Sequence, residues 1–82
     1  MTQYTLKTTL NEADDITAGR KTFVFRNSMN HVSFGDELIF QVMKQGMLTR
    51  HPIEKQKFIV TYVSNDAPIE KGFSVIGFRR TA

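Results

Sequence analysis

The sequence contains no cysteine and no tryptophan, and only two of its 82 residues are proline. Without cysteine there is no disulfide framework, thiolate metal site or cysteine nucleophile, which excludes a small disulfide-stapled secreted scaffold. No stretch approaches the roughly 18 to 20 apolar residues of a membrane-spanning helix, and the first residues lack the pattern of a signal peptide. We therefore expect a cytoplasmic protein without membrane contact.

The length and composition are typical of one small globular domain. Hydrophobic residues make up 40% of the chain and charged residues 23%, which is ordinary for a soluble domain. A chain of this length supports a single hydrophobic core, and it contains no internal repeat, low-complexity tract or linker. We predict one domain over residues 1–82.

The charge balance is mildly basic. Eleven lysines and arginines against eight acidic residues give a net charge of +3, which favours an anionic partner and also suits solubility alone. The acidic segment at residues 12–15 comes shortly before Arg20, Lys21 and Arg26. One face of the domain is therefore expected to be basic.

Residues 4–8 are predicted to form a first strand, and a helix is predicted to follow over residues 10–18. Thr9 and Glu12 have the spacing of a capping box at the helix start. Gly19 stands where a left-handed residue would close the last turn.

After Gly19 the hydrophobic pattern changes to the period of two that is typical of strands. Further strands are predicted at residues 22–26, 37–44, 57–63 and 73–79. The segment 47–56 is predicted to be irregular because of Pro52. One helix and these strands predict an α+β domain, with a small curled β-sheet or pseudo-barrel of about five strands and one main helix.

The facing of side chains follows from the same alternation. In the second strand, Phe23 and Phe25 are expected to face the core, and Val24 the opposite side. In the strand at residues 57–63, Tyr62 is expected on the same face as Phe58 and Val60. Gly77 in the last strand predicts a bulge or a close backbone approach.

Most of the aromatic residues are predicted to pack in the core. Tyr4, Phe34 and Tyr62 are the candidates for exceptions that could stack on nucleic-acid bases. His31 and His51 have no partner at ligand spacing, so we predict no metal and no cofactor. No nucleophile-elbow motif supports a serine–histidine–aspartate triad.

The strongest candidate for a site is the turn after the helix. Gly19, Lys21 and Arg26 could hold a phosphate or carboxylate through backbone N–H groups and two cations. The two cations could equally be the solvated ends of a core strand. Their spacing does not decide between an anion site and solvated strand ends. Arg50, in the loop before Pro52, is a second cationic position that would face the first in a tightly curled barrel.

Four segments in this order, ITAGRKTFVFRN, FGDELIF, KFIVTYV and GFSVIGFRR, resemble the ASCH domain group of the PUA-like superfamily. The likeness runs from about residue 6 to residue 78 and is strongest to short ASCH-like proteins of bacteria and their phages. The family motif resembles G-x-K-x-x-E-x-R, which Gly19, Lys21 and Arg26 match, while Val24 stands at the glutamate position. The resemblance implies a PUA-like fold that binds RNA or a nucleotide in a cleft between helix and barrel.

The string AGRKT also resembles bacterial acetylcytidine amidohydrolases, small ASCH enzymes that use a lysine, a threonine and a glutamate. Lys21 falls on the lysine, Val24 stands at the threonine position, and Glu70 is the only loop carboxylate that could replace the glutamate. The chain is therefore expected to bind rather than to hydrolyse, and Lys21 is the one catalytic candidate if it is an enzyme.

Three functions follow, in order of preference. The first is a binding module for RNA or a nucleotide, with candidate binding residues Gly19, Arg20, Lys21, Arg26 and Arg50. The second is an amidohydrolase that removes acetyl from acetylcytidine. The third is a phage-type accessory protein whose basic face binds a host protein or nucleoprotein.

Overall fold

A computed structural model describes residues 1–29, 31–66, 69 and 71–81 of the chain. The elements, in chain order, are β1 Gln3–Thr9, α1 Leu10–Thr17, β2 Phe23–Asn27, β3 Glu37–Lys44, β4 Met47–Thr49, a 3-10 helix Pro52–Lys55, β5 Phe58–Ser64 and β6 Phe73–Arg80. The predicted α+β class, a curled sheet with one main helix, is confirmed, with six strands in place of about five.

The sheet has the strand order β1-β3-β5-β6-β2, and the short β4 pairs with the end of β3. β1 runs parallel to β3, and the other pairs are antiparallel. The strands at the two ends of this order, β1 and β2, are bridged across the curl by a side chain. Arg26 on β2 donates a hydrogen bond of 3.1 Å to the carbonyl of Lys7 on β1. We call this side-chain bridge between the two edge strands the seam.

Helix α1 begins and ends where the sequence signals predict. The Thr9 side chain caps the helix by accepting from the backbone N–H of Glu12 at 3.2 Å. Gly19 follows the helix with a φ of 81°, in the left-handed region that glycine favours. Ala13 and Ile16 lie buried against the sheet. No helix among the described residues is long and apolar enough to cross a bilayer.

The core fills the concave side of the sheet. Phe40, Phe58 and Phe78 pack as a trio whose ring centroids lie 5.2 to 5.4 Å apart. Such edge-on aromatic contacts add to the burial of apolar area. The remaining buried apolar side chains come from every strand except β4, from α1, from the 3-10 helix and from the loop before β3: Leu6, Ala13, Ile16, Val24, Val32, Leu38, Val42, Ile53, Val60 and Ile76.

The prediction that Phe23 and Phe25 face the core is wrong. Both are exposed, and Val24 between them is fully buried. Side chains two apart on a strand share a face, so Val24 lies on the side of Arg26. Because Arg26 reaches across the seam to β1, that side is the inner one.

The expected position of Tyr62 beside Phe58 and Val60 is also wrong. The pairing with β6 shifts between Val60 and Tyr62, so the alternation is interrupted and Tyr62 is exposed. The close approach predicted at Gly77 is confirmed, because a Cβ built there would lie 3.2 Å from the Cβ of Tyr62.

The segment predicted to be irregular contains regular structure. Gln45 and Gly46 form a hairpin turn with φ values of 52° and 80°, after which β4 pairs back on β3. The 3-10 helix follows, with Pro52 in its first turn and His51 as its cap. The sequence signal for irregularity was Pro52, which is compatible with a helix start.

Candidate binding site at the seam

A carboxylate from α1 meets two cations at the seam. Lys21 Nζ lies 2.7 Å from Glu12 Oε2, and Arg26 Nη2 lies 2.7 Å from Glu12 Oε1. The Thr8 hydroxyl donates to Glu12 Oε1 as well. We call these four residues, Thr8, Glu12, Lys21 and Arg26, the seam cluster.

Local structure explains why the cluster forms. Glu12 lies in the first turn of α1, and Thr8 is near the end of the preceding strand, β1. Lys21 follows the turn at Gly19, which returns the chain alongside the helix. Arg26 is oriented by two backbone carbonyls, that of Phe25 at 3.0 Å and that of Lys7 at 3.1 Å.

The cluster holds Glu12 in its ionised form. Its side chain is only 16% exposed, and burial alone would raise the pKa of a carboxyl group. Hydrogen bonds from Arg26, Lys21 and Thr8 outweigh that effect and lower the pKa of Glu12 to about 2. At neutral pH the site therefore presents a fixed negative charge between two positive ones.

An open cleft of about 400 Å³ lies over this cluster, and its lining residues are Lys7, Thr8, Thr9, Glu12, Arg26 and Met43. The carboxylate supplies hydrogen-bond acceptors, and the guanidinium supplies donors. Lys21 is not among these lining residues: its ammonium bonds to Glu12 from the side of a neighbouring cleft, which it lines together with Arg79 and Arg80. The cleft can therefore pair with a ligand that carries both donors and anionic oxygens.

The structure does not place free backbone N–H groups at the Gly19 turn. The N–H of Gly19 donates to the carbonyl of Ile16 at 3.1 Å. Those of Arg20 and Lys21 both donate to the carbonyl of Asp15, at 3.0 and 3.2 Å. These bonds end the helix, so the backbone nest suggested by the glycine is already occupied by the chain itself.

Two candidate cations lie apart from the cluster. The Arg20 guanidinium is paired with Asp15 Oδ1 at 2.9 Å in an exposed ion pair. Arg50 lines a different cleft, of about 560 Å³, together with His51 and Glu54. The structure thus brings together Lys21 and Arg26, and it does not bring Arg20 or Arg50 to them.

Glu12 and Thr8 are the residues that sequence reasoning missed. Glu12 was assigned to a capping box, yet its carboxylate bonds to side chains 9 and 14 residues further along the chain. The nearest available signal was a glutamate in the first helical turn, followed by unpaired cations. Glu70, the sequence candidate for an acid, lies outside the described residues.

The histidines have structural partners. His51 Nε2 lies 2.8 Å from Asp14 Oδ1, and its Nδ1 accepts from the N–H of Ile53 at 3.1 Å. The His31 ring packs edge-on against Tyr4. Over the described ranges, no three histidine or acidic side chains are grouped so that they could hold a metal ion.

Compared with known proteins, the chain matches no family model and no curated protein. The ASCH resemblance rests on the four ordered sequence segments, in which Gly19, Lys21 and Arg26 match the family motif, and it stays a prediction. The function is therefore argued from the seam cluster and the cleft above it.

Proposed function

We propose that this chain is a small PUA-like, ASCH-type binding module for RNA or a nucleotide, which acts in the cytoplasm and receives its ligand in the seam cleft. One observation carries the proposal. An ionised carboxylate and a guanidinium line an open cleft large enough for a nucleobase with its sugar or phosphate, and the ammonium of Lys21 bonds to the same carboxylate from beside the cleft.

A nucleotide offers the groups that this site complements. Glu12 would accept from an exocyclic amino group, such as N4 of cytosine, because carboxylates pair with that donor. Lys21 and Arg26 would contact phosphate oxygens through charge-assisted hydrogen bonds. Glu12 would thus give selectivity for the base, and the two cations would add to the binding free energy through the phosphate.

The seam cluster also accounts for the one position, Val24, at which this chain differs from the family motif. Val24 occupies the motif's glutamate position and is fully buried, where a carboxylate without partners would be costly. Glu12 supplies a carboxylate to the same two cations from the helix instead. In this proposal the charge pattern of the motif is kept, with the glutamate supplied by a different element.

The test is calorimetric titration with cytidine monophosphate, cytidine and uridine. Cytidine is expected to bind better than uridine, because uridine lacks the amino donor for Glu12. The Lys21→Ala variant is expected to lose about tenfold in affinity for the monophosphate. Lys55→Ala, which removes the same charge from the 3-10 helix, is the matched control and should bind normally.

Two results would contradict the proposal. One is the absence of saturable binding by any of the three compounds. The other is an equal loss in Lys21→Ala and Lys55→Ala, which would mean that only net charge matters. Glu12→Gln adds a sharper readout, because it should remove the preference for cytidine over uridine.

Hydrolysis of acetylcytidine is a second candidate, and one observation favours it. The Thr8 hydroxyl bonds to Glu12, whose other oxygen accepts from Lys21, so a threonine, a glutamate and a lysine stand in contact. These are the residue types that the related amidohydrolases use, drawn here partly from other elements. Against it, the low pKa of Glu12 makes this carboxylate a weak general base at neutral pH.

The enzyme test is release of cytidine and acetate from acetylcytidine and water. Lys21→Ala and Thr8→Val should both abolish release if the cluster hydrolyses the amide. Release that survives in Lys21→Ala would exclude this mechanism. Binding of acetylcytidine without release would leave the binding module as the function.

A further inference from the structure

The outer surface of the sheet carries an exposed aromatic cluster that the seam cleft does not use. Phe23 is 49% exposed, Phe25 44% and Tyr62 59%. Phe73 is partly buried and stacks on Phe25, with ring centroids 4.9 Å apart and planes 14° from parallel. We call Phe23, Phe25, Tyr62 and Phe73 the aromatic face.

Strand register explains how these rings come together. Phe23 and Tyr62 pair with Gly77 from opposite sides, so a residue without a side chain separates them. The Cβ of Tyr62 leans in over this glycine and lies 3.2 Å from where a Cβ of Gly77 would stand. Phe23 and Tyr62 therefore stand as exposed aromatic groups on the two sides of Gly77.

The charge around this face has one sign. Strands β2, β5 and β6 contain no aspartate or glutamate. Of their arginines, Arg79 shares the face of Gly77 by alternation, whereas Arg26 and Arg80 turn to the other side, where they bond to Glu12 and to the end of α1. Lys21 Nζ lies 5.5 Å from the centroid of the Phe23 ring, in cation–π range. A partner of this surface must therefore tolerate aromatic contact and carry negative charge.

We propose that the aromatic face is a stacking surface for single-stranded nucleic acid. Unpaired bases present flat π-faces that stack on exposed aromatic rings whatever their identity, and their phosphates match the surrounding cations. A duplex does not expose those faces, so it is not expected to bind here.

The aromatic face would bind the same class of ligand as the seam cleft, through different residues, and this inference rests on the proposed function. Lys21 joins the two, because its ammonium contacts Glu12 in the cluster and lies over Phe23 on the face. A strand with one nucleotide in the cleft would pass Lys21 and lay its next bases on β2 and β6. The face thus needs an oligonucleotide, whereas the cleft takes a single nucleotide.

The test is fluorescence anisotropy with labelled eight-nucleotide single-stranded RNA, the same sequence as DNA, and an RNA duplex. Phe25→Thr and Tyr62→Thr are each expected to weaken single-strand binding about tenfold. Phe25→Tyr should retain affinity, because the ring is kept. Leu48→Thr is the matched control, since Leu48 is 63% exposed on β4, away from the face.

The outcomes separate this inference from the proposed function. Oligonucleotide binding that falls in Phe25→Thr and Tyr62→Thr, while cytidine monophosphate binding stays unchanged, supports the face. Oligonucleotide binding that falls in Lys21→Ala and Glu12→Gln but not in the aromatic variants overturns the face and leaves the cleft intact. Equal affinity for single strand and duplex also overturns it.

Two further results decide against the face. If no single-stranded nucleic acid binds while cytidine monophosphate does, the face is overturned and the cleft stands; if neither binds, both proposals fail. If sedimentation instead shows a dimer that Phe25→Thr dissociates, the face is a self-association surface. A preference between the RNA and DNA strands identifies which single strand is the ligand, since stacking alone serves both.

Discussion

The two sides of strand β2 behave in opposite ways. On the inner side, Val24 is fully buried and Arg26 is bound to Glu12 and to the backbone of β1. On the outer side, Phe23 and Phe25 remain exposed, although each carries far more apolar surface than valine. The strand has therefore placed its smaller apolar residue in the core and its larger ones in solvent.

This difference indicates that the ion pair between Arg26 and Glu12 helps to fix which side of β2 faces the core. A shift of one residue would bury the two phenylalanines but would turn Arg26 away from Glu12. It would also crowd a core that the trio of Phe40, Phe58 and Phe78 already occupies. Exposed aromatic rings lower solubility, and the stacking surface proposed above would give them a function.

The largest effect is expected from the inner aromatic residues. Phe40→Ala should lower the free energy of unfolding by about 3 to 5 kcal/mol, because it leaves a cavity in the trio. That is a large part of the total for so small a domain. Urea unfolding followed by circular dichroism measures it, and a loss below about 1 kcal/mol would mean that the trio is not the core.

The next effect concerns Glu12. Glu12→Gln should lower the free energy of unfolding at pH 7 by about 2 to 3 kcal/mol, since it leaves Lys21 and Arg26 close together without their counter-ion. The same denaturation experiment measures this loss. Glu54→Gln, a change of the same kind in the 3-10 helix, is the control and should cost less. Equal losses in the two variants would contradict a special role for the cluster.

The contribution of Glu12 should disappear in acid. Its pKa falls from 4.5 to about 2 on folding, so the unfolded state takes up the proton first. The stability it provides is present above pH 4.5 and is lost as the pH falls towards 2. The gap between wild type and Glu12→Gln should therefore close over this range, and a gap independent of pH would show that the charge of Glu12 is not what stabilises the fold.

The smallest effect is expected on the outer side. Phe23→Thr should change the free energy of unfolding by less than about 1 kcal/mol, because the ring is half in solvent and threonine suits a strand. The measurement is again urea unfolding, with Phe40→Ala as the reference. A loss as large as that of Phe40→Ala would show that the two sides do not differ.

Much of the fold could be predicted from local signals. The bounds of β3, the cap at Thr9 and the turn at Gly19 all follow from neighbouring residues, and they agree with the structure. Which side of β2 faces the core, and the register shift between β5 and β6, depend on residues that are distant in the chain. Alternation indicates that two faces exist and does not say which one is inside.

The candidate site was only partly predictable for the same reason. Lys21 and Arg26 were identified from the sequence, and their spacing gave no ground for placing them together. They meet because Glu12 on the helix binds both across the seam. Arg50 was grouped with them by an expected tight curl, yet it lines another cleft.

An amide-resolved NMR titration tests the central claim most directly. The labelled protein is titrated first with cytidine monophosphate and then with a short single-stranded RNA. The claim predicts shifts at Glu12, Lys21 and Arg26 with the nucleotide, and added shifts at Phe25 and Tyr62 with the RNA, all weakened by salt. Spectra that do not change with either ligand, or that change only around Arg50, would contradict it.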